Sequence, residues 1–202
     1  FGISSLTVAG LMLVTKGIDA ITDPIMGFLA DQTRTKQGRY RPYLIYGAPV
    51  LGALIYLLFS APELSSTMKV VFIYVVYILY SLAFTVVGVP FTSLVPVLAK
   101  DSTERTMVVS WKNVMIQVGR FFITTFALPL VEVFGGGATG WGRFGALVGV
   151  LITLCFWCVA WGLKPYDTID LKIERPKVNL LKETQLITKN KPLLMLMSAF
   201  GT

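Results

Sequence analysis

Histidine is absent from the 202 residues, and cysteine occurs only as Cys155 and Cys158. The first absence excludes imidazole acid–base chemistry and histidine metal sites. Charge is scarce too: 14% of residues are Asp, Glu, Lys or Arg, against about a quarter in soluble domains. Acidic residues are the scarcer sign, 11 against 18 basic ones. No nucleophile–base constellation can be assembled from what remains, so the sequence does not read as an enzyme. With 54% hydrophobic residues, the class that fits is a polytopic helical membrane protein. The net charge of +7 does not point to nucleic acid, because the basic residues sit in short loops between apolar runs. That is the pattern of membrane topology.

Five spans follow from a window of about 19 residues. They are expected at 3–30, 42–60, 69–99, 107–134 and 144–163. Pro42 suits the first turn of the second span, where its missing N–H is not needed. Pro90 and Pro96 late in the third span predict a kink or an unwound end. Lys100 to Arg105 reads as a charged turn, and Gly135, Gly136 and Gly137 as a flexible loop. Residues 164–191 are polar and read as a central loop, in which Leu180, Leu181, Leu186 and Ile187 suit a short helix on the membrane surface. Residues 192–202 turn apolar again and resemble the start of another span. A chain that lacks an initial Met and stops inside an apolar run is expected to be part of a longer protein.

Basic residues set the orientation. Arg34, Lys36, Arg39 and Arg41 lie after the first span, Lys100 and Arg105 after the third, and seven Lys/Arg fall within 164–191. Lys69 and Arg143 alone flank the alternate connections. The first set is therefore expected on the cytoplasmic side.

The most informative stretch is KGIDAITDPIMGFLADQTRTKQGRYRPY, from Lys16 to Tyr43. Asp19 and Asp23 are four apart, and Lys16 precedes Asp19 by three, so a helix puts all three on one face. Asp19 lies twelve residues before Asp31, about 18 Å at roughly 1.5 Å per residue. That is near the middle of a hydrocarbon core of about 30 Å. Ionisable groups at such depth face a protein interior or a water-filled cavity. Two carboxylates there can coordinate Na⁺ through oxygen, or share a proton because both ionised together would repel. A static ion pair with Lys16 is the third reading. Asn113, Gln117 and Arg120 share a face of the fourth span; they can contact a sugar, or Arg120 can neutralise the Asp pair. Cys155 and Cys158 have no partner ligands in their apolar span and suit plain packing.

The Lys16–Tyr43 stretch resembles the glycoside-pentoside-hexuronide:cation symporters, melibiose-permease-type carriers of the major facilitator fold. The block VGVPFTSLVPVLAKDSTERT resembles that family's fourth helix and following loop, and the segment into NKPLLMLM its central loop. The resemblance implies an all-α membrane protein with a major facilitator-type helix bundle, of which this chain holds about five of twelve transmembrane helices. On that view residues 1–163 are helices two to six. The implied cation site is Asp19 and Asp23, with Thr22 and Thr85 adding oxygens. Lys16, Thr92, Lys112, Asn113, Gln117 and Arg120 make up the candidate sugar-contacting set, and Asp31, Arg34, Arg39 and Arg41 a candidate cytoplasmic gate. Gly88 and Thr92 depart from the type carrier's acidic and aromatic sugar contacts, as Asn113 does from its arginine, so galactoside specificity is not implied.

The expected function is a secondary transporter of the cell membrane, coupling a sugar or glycoside to Na⁺ or H⁺ without a further cofactor. Its expected partners are substrate, lipid and the remaining helices, with no nucleic acid. A non-transporting membrane receptor or scaffold with the same fold is the alternative.

Overall fold

The computed structural model describes residues 5–60, 65–99 and 101–167. These lie within one compact unit, 1–169. The expected surface helix around Leu180 and the apolar start at 192–202 lie outside the described residues. The elements are α1 (Ser5–Gln32), α2 (Arg41–Phe59), α3 (Ser66–Ser93), α4 (Val95–Leu98), α5 (Ser102–Val133) and α6 (Gly137–Gly162). Counting α3 and α4 together, five are long and apolar enough to cross a membrane.

Proline chemistry accounts for two boundaries. Pro42 lies in the first turn of α2, where an N–H is expendable. The expected kink of the third span falls at Leu94, a single turn residue between α3 and α4. Pro96 cannot donate to the carbonyl of Thr92.

Two boundaries differ from expectation. The fourth span starts at Ser102, not Met107, so Glu104 and Arg105 belong to a helix rather than a turn. An acidic residue in a first turn complements the helix dipole. The fifth span starts at Gly137, not Phe144. Gly135, Gly136 and Gly137 form a tight link with positive φ throughout, in which the Gly136 N–H donates to the Val131 carbonyl. Such backbone angles are open chiefly to glycine. Arg143 then donates to the Phe134 carbonyl at 2.9 Å, placing a cation at the C-terminus of α5.

Helices α2 and α6 are antiparallel and make the closest pair. Arg41 meets Ala160, Ala48 meets Thr153, Gly52 meets Gly149 and Phe59 meets Gly145. At the crossing a Cβ on Gly52 would stand 2.5 Å from the Gly149 carbonyl oxygen. Small residues permit this approach where water provides no drive to associate. The far end is closed by Phe59, Trp141 and Phe144, with ring centroids 5.7–5.9 Å apart. Leu44, Leu51, Ile55, Val87, Leu94, Ala160 and Leu163 form the core between α2, α3 and α6.

Helices α1 and α3 run parallel, because paired residue numbers rise together: Thr7 with Tyr74, Asp19 with Ser81, Asp23 with Thr85 and Gly27 with Val89. Helix α5 touches only α4 and α6 among these elements, and nearly all its length is exposed.

A branched side chain at the crossing is incompatible with this packing. Gly52→Val should destabilise the bundle by about 1–3 kcal/mol through overpacking. Gly119→Ala, which meets nothing within 4 Å, should be neutral or mildly stabilising. Thermal melts of the detergent-solubilised proteins, followed by size-exclusion chromatography, check the contrast.

Candidate functional site

The Asp pair sits in a regular helix, as its spacing requires, and each carboxylate is met by a hydroxyl from α3. Thr85 donates to Asp23 Oδ1 at 2.8 Å. Ser81 donates to Asp19 Oδ1 at 2.5 Å. Asp19 and Asp23 are one turn apart, as are Ser81 and Thr85, so parallel helices form two rungs with the same sequence offset. Thr85, named from the resemblance, is buried. Ser81 was not singled out in the sequence. Its signal was available, since Ser81 and Thr85 repeat on α3 the spacing of the Asp pair on α1.

Thr22 donates to the Ile18 carbonyl at 3.1 Å, so its hydroxyl proton is turned to its own helix. Lys16 meets Asp19 Oδ2 at 3.8 Å, with its side chain 83% exposed, and no ion pair reaches Asp23 among the described residues. A static ion pair with Lys16 therefore does not account for Asp23. Pro24, next to Asp23, cannot donate to the carbonyl of Ala20 one turn back.

The candidate sugar set is not assembled within the described residues. Thr92 spends its hydroxyl proton on the Gly88 and Val89 carbonyls of its own helix. Asn113, Gln117 and Arg120 are exposed on α5 and Lys112 is half-buried. Helices α1 and α5 do not touch, and among the described residues no ion pair joins Arg120 to Asp19 or Asp23.

The basic loop is ordered by a different set of contacts from those expected. Arg39 pairs with Asp31 at 2.9 Å and also donates to the Asp31 carbonyl. It thus supplies positive charge at the C-terminus of α1, where an Asp alone is unfavourable. Among the described residues Arg41 makes no acid pair; it donates to the carbonyls of Ala160 at 2.7 Å and Gln37 at 2.9 Å. Arg34 is exposed beside them. The Tyr40 hydroxyl donates to Asp31 Oδ1. Burial, and then this hydrogen bond, pushes the Tyr40 phenol up from its ordinary 10.0 to about 12.

Beneath the loop lies an acid that the sequence did not mark. Asp167 is 5% exposed and accepts the backbone N–H groups of Arg39, Tyr40 and Arg41 at 2.9–3.0 Å. These are unpaired donors at the N-terminus of α2, a ready anion site. Gly38 has φ +108°, and a Cβ there would stand 2.5 Å from Asp167, so the loop needs glycine at this point. Residues 163–167 therefore fold back under α2.

The sequence that folds into this arrangement matches a known family. The MFS/sugar transport protein family matches residues 1–202. The chain belongs to this family. It is 39% identical over 162 residues to a protein provisionally named glycoside/cation symporter YagG of Escherichia coli (strain K12), covering 77% of the chain and 35% of that protein. It is 36% identical over 176 residues to the inner membrane symporter YicJ of the same strain, covering 87% and 37%. A third relative is the isoprimeverose transporter of Lactiplantibacillus pentosus, 36% identical over 163 residues, covering 79% and 34%. The chain thus spans about a third of the length of these relatives. Family membership bears out the expected resemblance and the multi-pass membrane placement, and these relatives are named as transporters rather than enzymes.

Within the family fold, Asp167 ties the end of α6 to the start of α2. Asp167→Ala leaves three N–H groups unpaired and should destabilise the protein by about 1–3 kcal/mol. Asp167→Asn, which keeps an acceptor oxygen, should lose less; chemical denaturation of both variants checks the order. For Tyr40 the sign is the reverse of a carboxylate's. A raised folded value means a contribution present below about pH 10 and lost as pH rises through about 12. Tyr40→Phe should flatten the fall of thermal stability in that window.

Proposed function

We propose that the full-length protein is a secondary active transporter that couples uptake of a sugar or glycoside to Na⁺ or H⁺ by alternating access. The observation that carries this is the pair of carboxylates in an apolar, membrane-length helix, each engaged by a hydroxyl of a second such helix. Groups so costly to hold in an apolar span are expected to serve ion movement. Asp19 and Asp23 are the coupling residues, and Thr85 fixes Asp23. The names of the relatives, a glycoside/cation symporter and an isoprimeverose transporter, support the substrate class and the cation coupling. Asn113, Gln117 and Arg120 of α5, with Lys16, Thr92 and Lys112, remain the sugar-facing set, completed by helices beyond this chain. Asp31, Arg34, Arg39 and Arg41 form the gate, with Asp31–Arg39 as its internal pair.

The test uses membrane vesicles with imposed Na⁺ or pH gradients and labelled isoprimeverose or lactose as probes. Asp19→Asn and Asp23→Asn should each abolish gradient-driven accumulation, by more than tenfold, while sugar exchange without a gradient persists. Accumulation at the wild-type level by either variant removes that residue from the coupling site. Absence of gradient-driven uptake across a panel of glycosides favours the receptor or scaffold.

A further inference from the structure

We infer that Ser81 is a further residue of the coupling-ion site, and that its hydroxyl oxygen makes the site one for an alkali metal cation rather than for a proton alone. The inference rests on the reading of Asp19 and Asp23 as coupling residues and goes on to name their ion. It starts from how hydroxyls behave elsewhere in these helices. Thr15, Thr22, Thr92, Ser93 and Thr124 each donate to a carbonyl three or four residues back in their own helix. That is the local solution for a hydroxyl in an apolar helix, and it needs no neighbour. Ser81 and Thr85 depart from it. Both turn away from their own backbone and cross to α1, each to Oδ1 of one Asp.

The chemistry of a hydroxyl decides what such a crossing can do. Ser Oγ has one proton to give and two lone pairs. With the proton directed to Asp19, the lone pairs stay available to a cation resting between the carboxylates. Asp19, Asp23, Ser81 and Thr85 then offer oxygens from two helices. A hard metal cation needs several oxygen ligands. A proton needs one carboxylate oxygen. Removing a single hydroxyl therefore takes one ligand from a metal cation, whereas a proton loses none of its own. Lys16 does not fill the place of the cation, since its ammonium lies 3.8 Å from the other oxygen of Asp19 and is largely exposed.

The experiment measures equilibrium binding of radioactive ²²Na⁺ to the purified full-length protein in choline buffer without sugar. Wild type should bind Na⁺ saturably. Ser81→Ala should bind it about tenfold more weakly, the loss expected when one contact to a charged partner is removed. Ser81→Thr keeps the hydroxyl and should stay within about threefold of wild type. If Ser81→Ala does not fold, Ser81→Cys keeps the volume but presents sulfur, a poor ligand for a hard cation, and should show the same loss. Unchanged Na⁺ binding in Ser81→Ala or Ser81→Cys overturns the inference. So does an equal loss in Ser81→Thr, which would mark a packing effect. Wild type without saturable Na⁺ binding overturns it as well, yet leaves the transport proposal standing as a proton symporter if Asp19→Asn still abolishes accumulation. Normal accumulation by Asp19→Asn and Asp23→Asn would instead remove the reading beneath both.

Discussion

A carboxylate placed in an apolar span must find a hydrogen-bond partner, and the rest of this structure is arranged around that constraint. Asp19 and Asp23 find theirs on α3, through Ser81 and Thr85. Two rungs with one offset demand that α1 and α3 be parallel and in register. The connection between them crosses the bundle as α2, antiparallel to both. Gly47 lets α2 approach α3 so closely that a Cβ would stand 2.6 Å from Val87. Gly27 faces Val89 one turn beyond the second rung, so the same register holds where only apolar contacts remain. The polar rungs select the register, and the apolar contacts on either side maintain it.

At the other end of α1 the same physics appears in reverse. The N-terminus of α2 leaves N–H groups with no helical acceptor, and Asp167 supplies the missing charge from beyond α6. The C-terminus of α1 carries Asp31 against its dipole, and Arg39 corrects it. Arg41 spans from the loop to the Ala160 carbonyl near the end of α6. Three helix ends are thus fastened to one short loop by charges that neutralise backbone dipoles more than one another. Combined with the Gly52–Gly149 crossing, these contacts join α2 and α6 both in mid-helix and at one end.

Much of this was legible in the sequence, and what was not shares a cause. Apolar length and proline position located the spans and the break at Leu94, because they depend on properties of the chain itself. The spacing of Asp19 and Asp23 placed them on one face for the same reason. Ser81, Asp167 and the Gly52–Gly149 contact were missed because each acquires its role from a partner far along the chain. A serine in an apolar run usually serves its own backbone, as Thr22's hydroxyl does; the one sign that Ser81 does not is its four-residue spacing from Thr85, which gains meaning only beside the Asp pair. Asp167 read as one charge among many in a polar segment, and only the fold shows the α2 N-terminus above it. Helix starts were misplaced at Met107 and Phe144 because polar first turns look like loops until their caps are seen.

The position of α5 bears on how the Asp pair is balanced. Had Arg120 reached Asp19 or Asp23, the cluster would have carried its own counter-charge and would have had little to attract a cation. Helix α5 does not touch α1, and the cation that does approach, Lys16, stands at 3.8 Å with most of its side chain exposed. Two neutral hydroxyls orient the two acids instead. A guanidinium in the same place would tie up the carboxyl oxygens in an ion pair, and a purely apolar neighbour would leave them without the hydrogen bond that an apolar span makes costly to lose. A hydroxyl from α3 avoids both, which is why Ser81 and Thr85 matter as much to the arrangement as the spacing of the two acids on α1.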